Sequence, residues 1–204
     1  PIPTRTIRIG PAAVGGDAPF FLIAGPCILE DEQMPFRIAR ALKQLAAARG
    51  IGFVFKASYD KANRMSLTSY RGPGLEAGLA ILAAVGREVG VPVLTDVHDV
   101  AQVGPVAAAV DVLQIPAFLC RQTDLVVEAA KTGKAINIKK GEFLAPWDMK
   151  HVAAKALSTG NDRLFLTERG TTFGYGNLVN DMRAIPIMQG FGTPVVFDAG
   201  HSVQ

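Results

Sequence analysis

Three cations and a run of hydroxyl and amide side chains are packed into Lys56-Ala-Ser-Tyr-Asp-Lys-Ala-Asn-Arg-Met-Ser66, directly after the apolar run Ile51-Gly-Phe-Val-Phe55. These residue types suit a phosphorylated substrate, because a phosphate needs several fixed N–H or O–H donors together with compensating positive charge. A loop leaving a buried strand can hold both at one point. Lys56, Lys61 and Arg64 are therefore the first candidates for ligand contacts. A short charge cluster is most often a solvated turn. Here it abuts a strand with no polar face, and comparable residues recur after other apolar runs: Cys27, Asp96 with His98, Gln114, Lys139, Glu168 with Arg169, and His201.

Short apolar runs that would position these residues alternate with longer amphipathic stretches. Strands are predicted at Phe20–Ala24, Gly52–Lys56, Val91–Thr95, Val112–Ile115, Ala135–Lys139, Leu164–Thr167 and Val195–Asp198. They are apolar throughout, as parallel strands covered on both faces are. Helical patterns fall at Glu32–Arg49, Leu75–Val89, Val100–Ala109, Thr123–Thr132, Pro146–Ser158 and Asn177–Gln189, with Gly50, Gly90, Gly133 and Gly160 at helix ends. Thr6-Ile-Arg-Ile-Gly10 suits a small strand in a hairpin outside the repeat. Repeated β-α order gives an open doubly wound sheet or a closed (β/α)₈ barrel. Polar residues at the end of every strand favour the barrel, because an open sheet needs them only beside its switch point. The expectation is thus a single (β/α)₈ TIM-barrel domain over residues 1–204 with an N-terminal β-hairpin. Seven strands do not close such a barrel, which typically takes about 250 residues, so the natural chain is expected to continue by at least one βα unit.

Composition narrows the partners. Of 204 residues, 49% are hydrophobic and 19% charged, and 21 Lys and Arg against 18 Asp and Glu leave a formal charge of +3. That excess is too small and too dispersed to argue for nucleic acid or a membrane surface, and small anions fit better. No apolar run approaches the roughly 20 residues of a membrane span. Residues Pro1 to Phe20 do not resemble a secretory signal. Two cysteines, Cys27 and Cys120, are too few for a disulfide framework, so free thiols in a reducing cytoplasm are the default.

A thiolate at Cys27 and an imidazole at His201 would suit zinc, iron or a similar divalent ion, but two ligands are not a site and carboxylates must complete it. Asp198 lies close to a strand core. A lone free cysteine is most often a small buried hydrophobe, and spacing alone favours that role for Cys27. By the same standard His98 reads as a packed or hydrogen-bonded loop residue, His151 as surface, and Cys120 as packing.

The runs Phe55-Lys-Ala-Ser-Tyr-Asp-Lys-Ala-Asn-Arg64, Ser69-Tyr-Arg-Gly-Pro-Gly-Leu75, Leu94-Thr-Asp-Val-His98, Gln114-Ile-Pro-Ala-Phe-Leu-Cys-Arg-Gln-Thr-Asp124, Asn137-Ile-Lys-Lys140, Glu168-Arg-Gly170 and Phe173-Gly-Tyr-Gly-Asn-Leu178 resemble the 3-deoxy-D-manno-octulosonate 8-phosphate synthases, also called 2-dehydro-3-deoxyphosphooctonate aldolases. The resemblance runs from about Gly10 to Gln204. It implies a cytoplasmic transferase of lipopolysaccharide biosynthesis that condenses phosphoenolpyruvate with D-arabinose 5-phosphate and water. It further implies that Lys56, Lys61, Lys139 and Arg169 surround phosphoenolpyruvate, with Ser58 and Gln114 assisting. Asn63, Arg64 and Ser66 would take the arabinose phosphate, and Asp96 the sugar hydroxyls. Arg121 would reach a neighbouring subunit's site in a homotetramer. Gly25-Pro-Cys-Ile-Leu-Glu30 and Asp198-Ala-Gly-His-Ser-Val-Gln204 resemble the metal-dependent class. Cys27 and His201 would then be ligands to Zn, Fe or Mn, a Glu and an Asp beyond Gln204 would complete the set, and Gly200 departs from the Thr common at its position. A related synthase that uses erythrose 4-phosphate typically carries Lys-Pro-Arg-Thr-Ser where this chain has Lys61-Ala-Asn-Arg64, which places that alternative second. A non-catalytic phosphate-binding barrel comes third, because no strand end has lost its charge.

Overall fold

The structure, a computed structural model, describes residues 2–203. A hairpin of β1 (Ile7–Ile9) and β2 (Ala12–Val14) comes first. β3 (Phe21–Ala24), α1 (Met34–Ala47), β4 (Gly52–Lys56), α2 (Leu75–Val85), β5 (Val93–Asp96), α3 (Val100–Ala109), β6 (Val112–Ile115), α4 (Thr123–Lys131), β7 (Ala135–Lys139), α5 (Met149–Leu157) and β8 (Leu164–Glu168) then alternate. A short antiparallel ladder of β9 (Thr171–Thr172) and β10 (Leu178–Val179) precedes α6 (Ala184–Gln189) and β11 (Val195–Phe197). The sheet order is β11-β8-β7-β6-β5-β4-β3, and the pairs β3–β4, β4–β5, β7–β8 and β8–β11 are parallel. Each strand therefore lies beside its predecessor in the repeat, the order that β-α-β crossovers produce. The α/β class, the hairpin and the parallel sheet agree with the sequence.

The chain divides into two compact units, one of Arg8–Val14 with Pro19–Leu113, the other of Pro1–Ile7, Gly15–Ala18 and Gln114–Gln204. In the first, α1 begins where Asp31 Oδ1 accepts the backbone N–H groups of Gln33 and Met34 at 2.7 and 2.6 Å. Those two N–H donors hold the Asp31 carboxyl below its ordinary value, and Pro35 occupies the first turn, where a missing N–H does no harm. Asp99 caps α3 by accepting from Ala101 N at 2.8 Å. Gly25 has a backbone reason to be glycine: a Cβ there would stand 1.9 Å from the Lys56 carbonyl oxygen. Only a residue without a side chain lets the segment after β3 pass the end of β4.

In the second unit β7 and β8 run in register, with Ile138 opposite Leu166 and Lys139 opposite Thr167. Alternation along the strands puts Ile136, Ile138, Leu164 and Leu166 on one face, all 1% exposed or less. Asn137, Lys139 and Thr167 share the other face.

Several boundaries differ from the sequence pattern, for local reasons. The stretch Asn177–Gln189 is helical only from Ala184. Leu178 and Val179 pair with Thr172 and Thr171 instead, and Asp181 Oδ1 takes the Arg183 N–H at 3.0 Å, the side-chain competition that disfavours helix. The helix from Leu75 changes after Val85 into a π-helical turn, Gly86–Gly90, which Gly90 ends at φ 68. β5 starts at Val93 rather than Val91, and β11 stops at Phe197. β3 and β11, last in the sheet order, are half-buried to exposed where full burial was expected.

Ile138→Ala should cost about 2–5 kcal/mol, the usual range for truncating a fully buried isoleucine. The check is a lower urea midpoint at unchanged m-value; a loss under about 1 kcal/mol would mean that this face is loosely packed.

Candidate active site

In the first unit, parallel pairing sets Lys56 opposite Leu94. Two residues further on, in each case on the same side, come Ser58 and Asp96. Ser58 is fully buried and forms the hub: its Oγ donates to Asp96 Oδ2 and accepts from Lys56 Nζ at 3.1 Å and Lys61 Nζ at 2.9 Å. The two ammonium groups lie 3.8 and 4.0 Å from the same Asp96 oxygen. Two cations facing one carboxylate leave a net positive charge in a poorly solvated place, the condition that attracts an anion. Burial lowers the Lys61 ammonium below the ordinary lysine value and the neighbouring Lys56 lowers it further, while Asp96 and Cys27 pull it back. A bound phosphate would offset both depressing influences by setting opposite charge beside the ammonium.

Cys27 is exposed, and its sulfur is among the groups that pull the Lys61 ammonium back up. Its segment is tied down by Leu29 N donating to Ser58 O at 3.1 Å and by a parallel bridge between Ile28 and Ser58. The part of a small buried hydrophobe thus fails for Cys27 and holds for Cys120, which is fully buried and whose thiol burial pushes up. Asn63, Arg64 and Ser66 all stand exposed on one loop. That loop is closed at its base by two hydrogen bonds from Arg71 to the Asp60 carboxylate, 2.9 and 2.5 Å, and by Lys61 N donating to Arg71 O at 2.7 Å.

His98 stacks edge-on against Tyr59 at 5.5 Å, and its backbone N–H donates to Gln102 Oε1 at 3.0 Å, an acceptor shared with Tyr59 Oη at 2.7 Å. Its Nδ1 is buried without a hydrogen-bond partner. It is the packed loop residue that the sequence suggested.

In the second unit Lys139 Nζ donates to Asp198 Oδ2 at 2.6 Å, and His201 Nδ1 lies 2.7 Å from the same oxygen. With a carboxylate as acceptor, His201 Nδ1 is the donor. Burial alone would push the Asp198 carboxyl up. The hydrogen bond from His201, the Lys139 ammonium and the backbone N–H of His201 together outweigh it and hold the group well below the carboxylate range. Arg169, 5% exposed, pairs with Glu142. Gln114 Oε1 accepts from Asn137 Nδ2 at 2.8 Å, and Thr167 Oγ1 donates to Asn137 Oδ1 at 2.7 Å. Arg121 is exposed and joins none of this; its carbonyl accepts from Lys155 Nζ at 2.8 Å. Asn137, Thr167 and Glu142 escaped the sequence reading, and Asp198 was set aside there as too near a strand core. Polar residues at alternate positions of an apolar run, Asn137 with Lys139 and Thr167 with Arg169, were the signal for the first two.

The donor chemistry suits a borderline divalent ion: an exposed thiol held near a cation, and an imidazole whose other nitrogen is oriented by a carboxylate, as metal-binding histidines are. Among the described residues no three or more His, Cys, Asp or Glu side chains come together as a metal-holding group, so the fit is one of ligand type and not of a completed shell.

Cations, hydroxyls and amides at the carboxyl ends of parallel strands define an α/β enzyme for small anionic substrates. The profile of the DAHP synthetase I family matches residues 5–204, and the chain belongs to that family. It is 57% identical over 201 residues to the 2-dehydro-3-deoxyphosphooctonate aldolase of Geobacter sulfurreducens, covering 98% of this chain and 74% of that one. The enzyme of the same name from Geotalea uraniireducens is 59% identical over 200 residues, with the same two shares. That from Chelativorans sp. is 60% identical over 203 residues, 100% of this chain and 74% of its own.

Burial pushes the His98 imidazole below its ordinary 6.5, and Lys61 adds to this against the pull of Asp96 and Asp60. The unfolded chain then binds a proton that the folded chain refuses, so this group's contribution falls as pH drops through 6.5 towards the folded value. Urea unfolding from about pH 8 to about pH 5.5 should show the wild type losing stability relative to His98→Gln. A constant difference across that range would mean that the ring protonates freely.

Proposed function

We propose that the chain condenses phosphoenolpyruvate with D-arabinose 5-phosphate and water to give 3-deoxy-D-manno-octulosonate 8-phosphate and inorganic phosphate. The observation that carries this is identity of 57–60% to enzymes named 2-dehydro-3-deoxyphosphooctonate aldolase over 98–100% of the chain. The paired ammonium groups of Lys56 and Lys61 on one carboxylate supply a physical reason.

Reaction requires that C3 of the enol bond to the aldehyde carbon while that aldehyde oxygen gains a proton. Water adds at C2 and loses a proton, and the C2–O bond to phosphate breaks. Lys56, Lys61, Lys139 and Arg169 would bind phosphoenolpyruvate, offsetting its charge and orienting C3, with Ser58 and Gln114 fixing the donors. Asp96 would meet sugar hydroxyls as an acceptor. Asn63, Arg64 and Ser66, on their clamped and exposed loop, would take the distal phosphate. Cys27 and His201, through its Nε2, would hold a divalent ion such as Zn, Fe or Mn, whose chemistry when bound is to polarise or orient a substrate oxygen. We read the parallel sheet as part of a (β/α)₈ barrel, in a single domain of a cytoplasmic homotetramer, with Arg121 serving a neighbouring subunit. This would place the chain in lipopolysaccharide synthesis.

Phosphate release from phosphoenolpyruvate should depend on arabinose 5-phosphate and fall on chelation. Turnover with erythrose 4-phosphate alone would reassign the substrate, and undiminished turnover after metal removal would end the role given to Cys27. Replacing Lys56, Lys61, Lys139 or Arg169 by Ala should each lower kcat by about 10²–10³-fold, the usual loss for one donor to developing charge.

Arg121→Ala should raise KM for the sugar phosphate and leave the unfolding midpoint unchanged. An unaltered KM would exclude a shared site.

A further inference from the structure

The faces of β7 and β8 that carry Ile136, Ile138, Leu164 and Leu166 end in two charged residues, Lys140 and Glu168. The Lys139–Thr167 register makes them neighbours, and Lys140 N donates to Thr167 O at 2.8 Å. Their side chains form an ion pair at 3.5 Å, at 0% and 2% exposure. Lys140 Nζ also donates to Gly170 O at 2.9 Å, Thr171 Oγ1 at 3.0 Å, Leu144 O at 3.3 Å and Gly141 O at 3.4 Å. Glu168 Oε1 accepts from Gly170 N at 2.6 Å, and Glu168 Oε2 is buried with no partner.

A buried ion pair is seldom the most stable occupant of its space, since apolar residues of similar volume often do as well or better. Beyond each other, the hydrogen-bond partners of this pair are the Thr171 hydroxyl and backbone groups. Its partners are the residues flanking Glu142 in the loop after β7 and those flanking Arg169 after β8. Lys139, one residue before Lys140, ends β7.

We propose that Lys140 and Glu168 are positioning residues: by welding the two loops together from behind the sheet, they fix the direction in which Lys139 and Arg169 present their charges to the substrate. The inference rests on the function proposed above. Two cations that must meet one small anion gain from a rigid common support, since a misplacement of about 1 Å can cost 10²-fold in rate.

The test compares wild type with Thr171→Val, which removes one acceptor of Lys140, and with the double variant Lys140→Met/Glu168→Leu, which replaces the pair by apolar groups and avoids an unpaired buried charge. Binding of phosphoenolpyruvate is measured by calorimetry, and KM for each substrate with kcat by phosphate release. In the double variant, Kd and KM for phosphoenolpyruvate should rise by about 10–100-fold with a lower kcat and an unchanged KM for arabinose 5-phosphate; Thr171→Val should show the same pattern at smaller size. Unchanged Kd and KM for phosphoenolpyruvate in either folded variant would overturn the positioning role and leave a purely structural pair. So would an equal rise in both KM values. If the double variant does not fold, Thr171→Val alone decides. Wild type that binds phosphoenolpyruvate but releases no phosphate with the sugar would sink the parent function instead, and the Kd comparison would still judge the pair.

Discussion

Cations cannot be gathered at the ends of buried strands unless each is given an oxygen partner, and the structure is organised around that requirement. Desolvating an isolated ammonium is costly enough that burial alone drives it toward the neutral form. Lys56 and Lys61 avoid this by sharing Asp96 through Ser58, Lys139 by resting on Asp198, Arg169 by Glu142, and Lys140 by Glu168 and four further oxygens. The partners differ in kind. Asp96 is outnumbered, which leaves charge over for a ligand, whereas Lys140 is surrounded and has none to offer.

The alternation of side chains along a strand turns one register into two separate functions. On one face of β7 and β8, Asn137, Lys139 and Thr167 lead toward the polar groups at the strand ends. On the other, four aliphatic residues pack, and an ion pair closes the face, from Lys140 just past the end of β7 to Glu168 at the end of β8. A shift of one residue in pairing would exchange the two sets, so the hydrophobic core and the polar rim hold each other in register.

Much of this was legible in the residues. β4, β6 and β7 ended where their apolar runs ended, because Gly, Pro or a charge bounds each of them. The cluster at Lys56 to Arg64 pointed to anion binding from types and spacing alone. What was not legible depended on which groups the fold brings together, whether near or far in sequence. Leu178 and Val179 have helical spacing, but they pair with the backbone of a strand only six residues earlier. Lys140 entered the sequence analysis only as the end of the run Asn137-Ile-Lys-Lys140; its burial follows from Glu168 lying next to it, a fact of register and not of composition. Asp198 looked like a strand residue until its oxygens were seen to take the N–H groups of Gly200 and His201 at 3.2 and 3.0 Å.

The absence of any room beside the carbonyl of Lys56 has a bearing on how such chains diversify. Insertions and exchanges in the segments on either side can alter what is bound, since those segments end in solvent, but no side chain can be accommodated at Gly25 without displacing the backbone that holds Lys56. That one point acts as a fixed pivot: the backbone carrying Cys27 and the backbone carrying Lys56 keep their separation whatever side chain stands at either position.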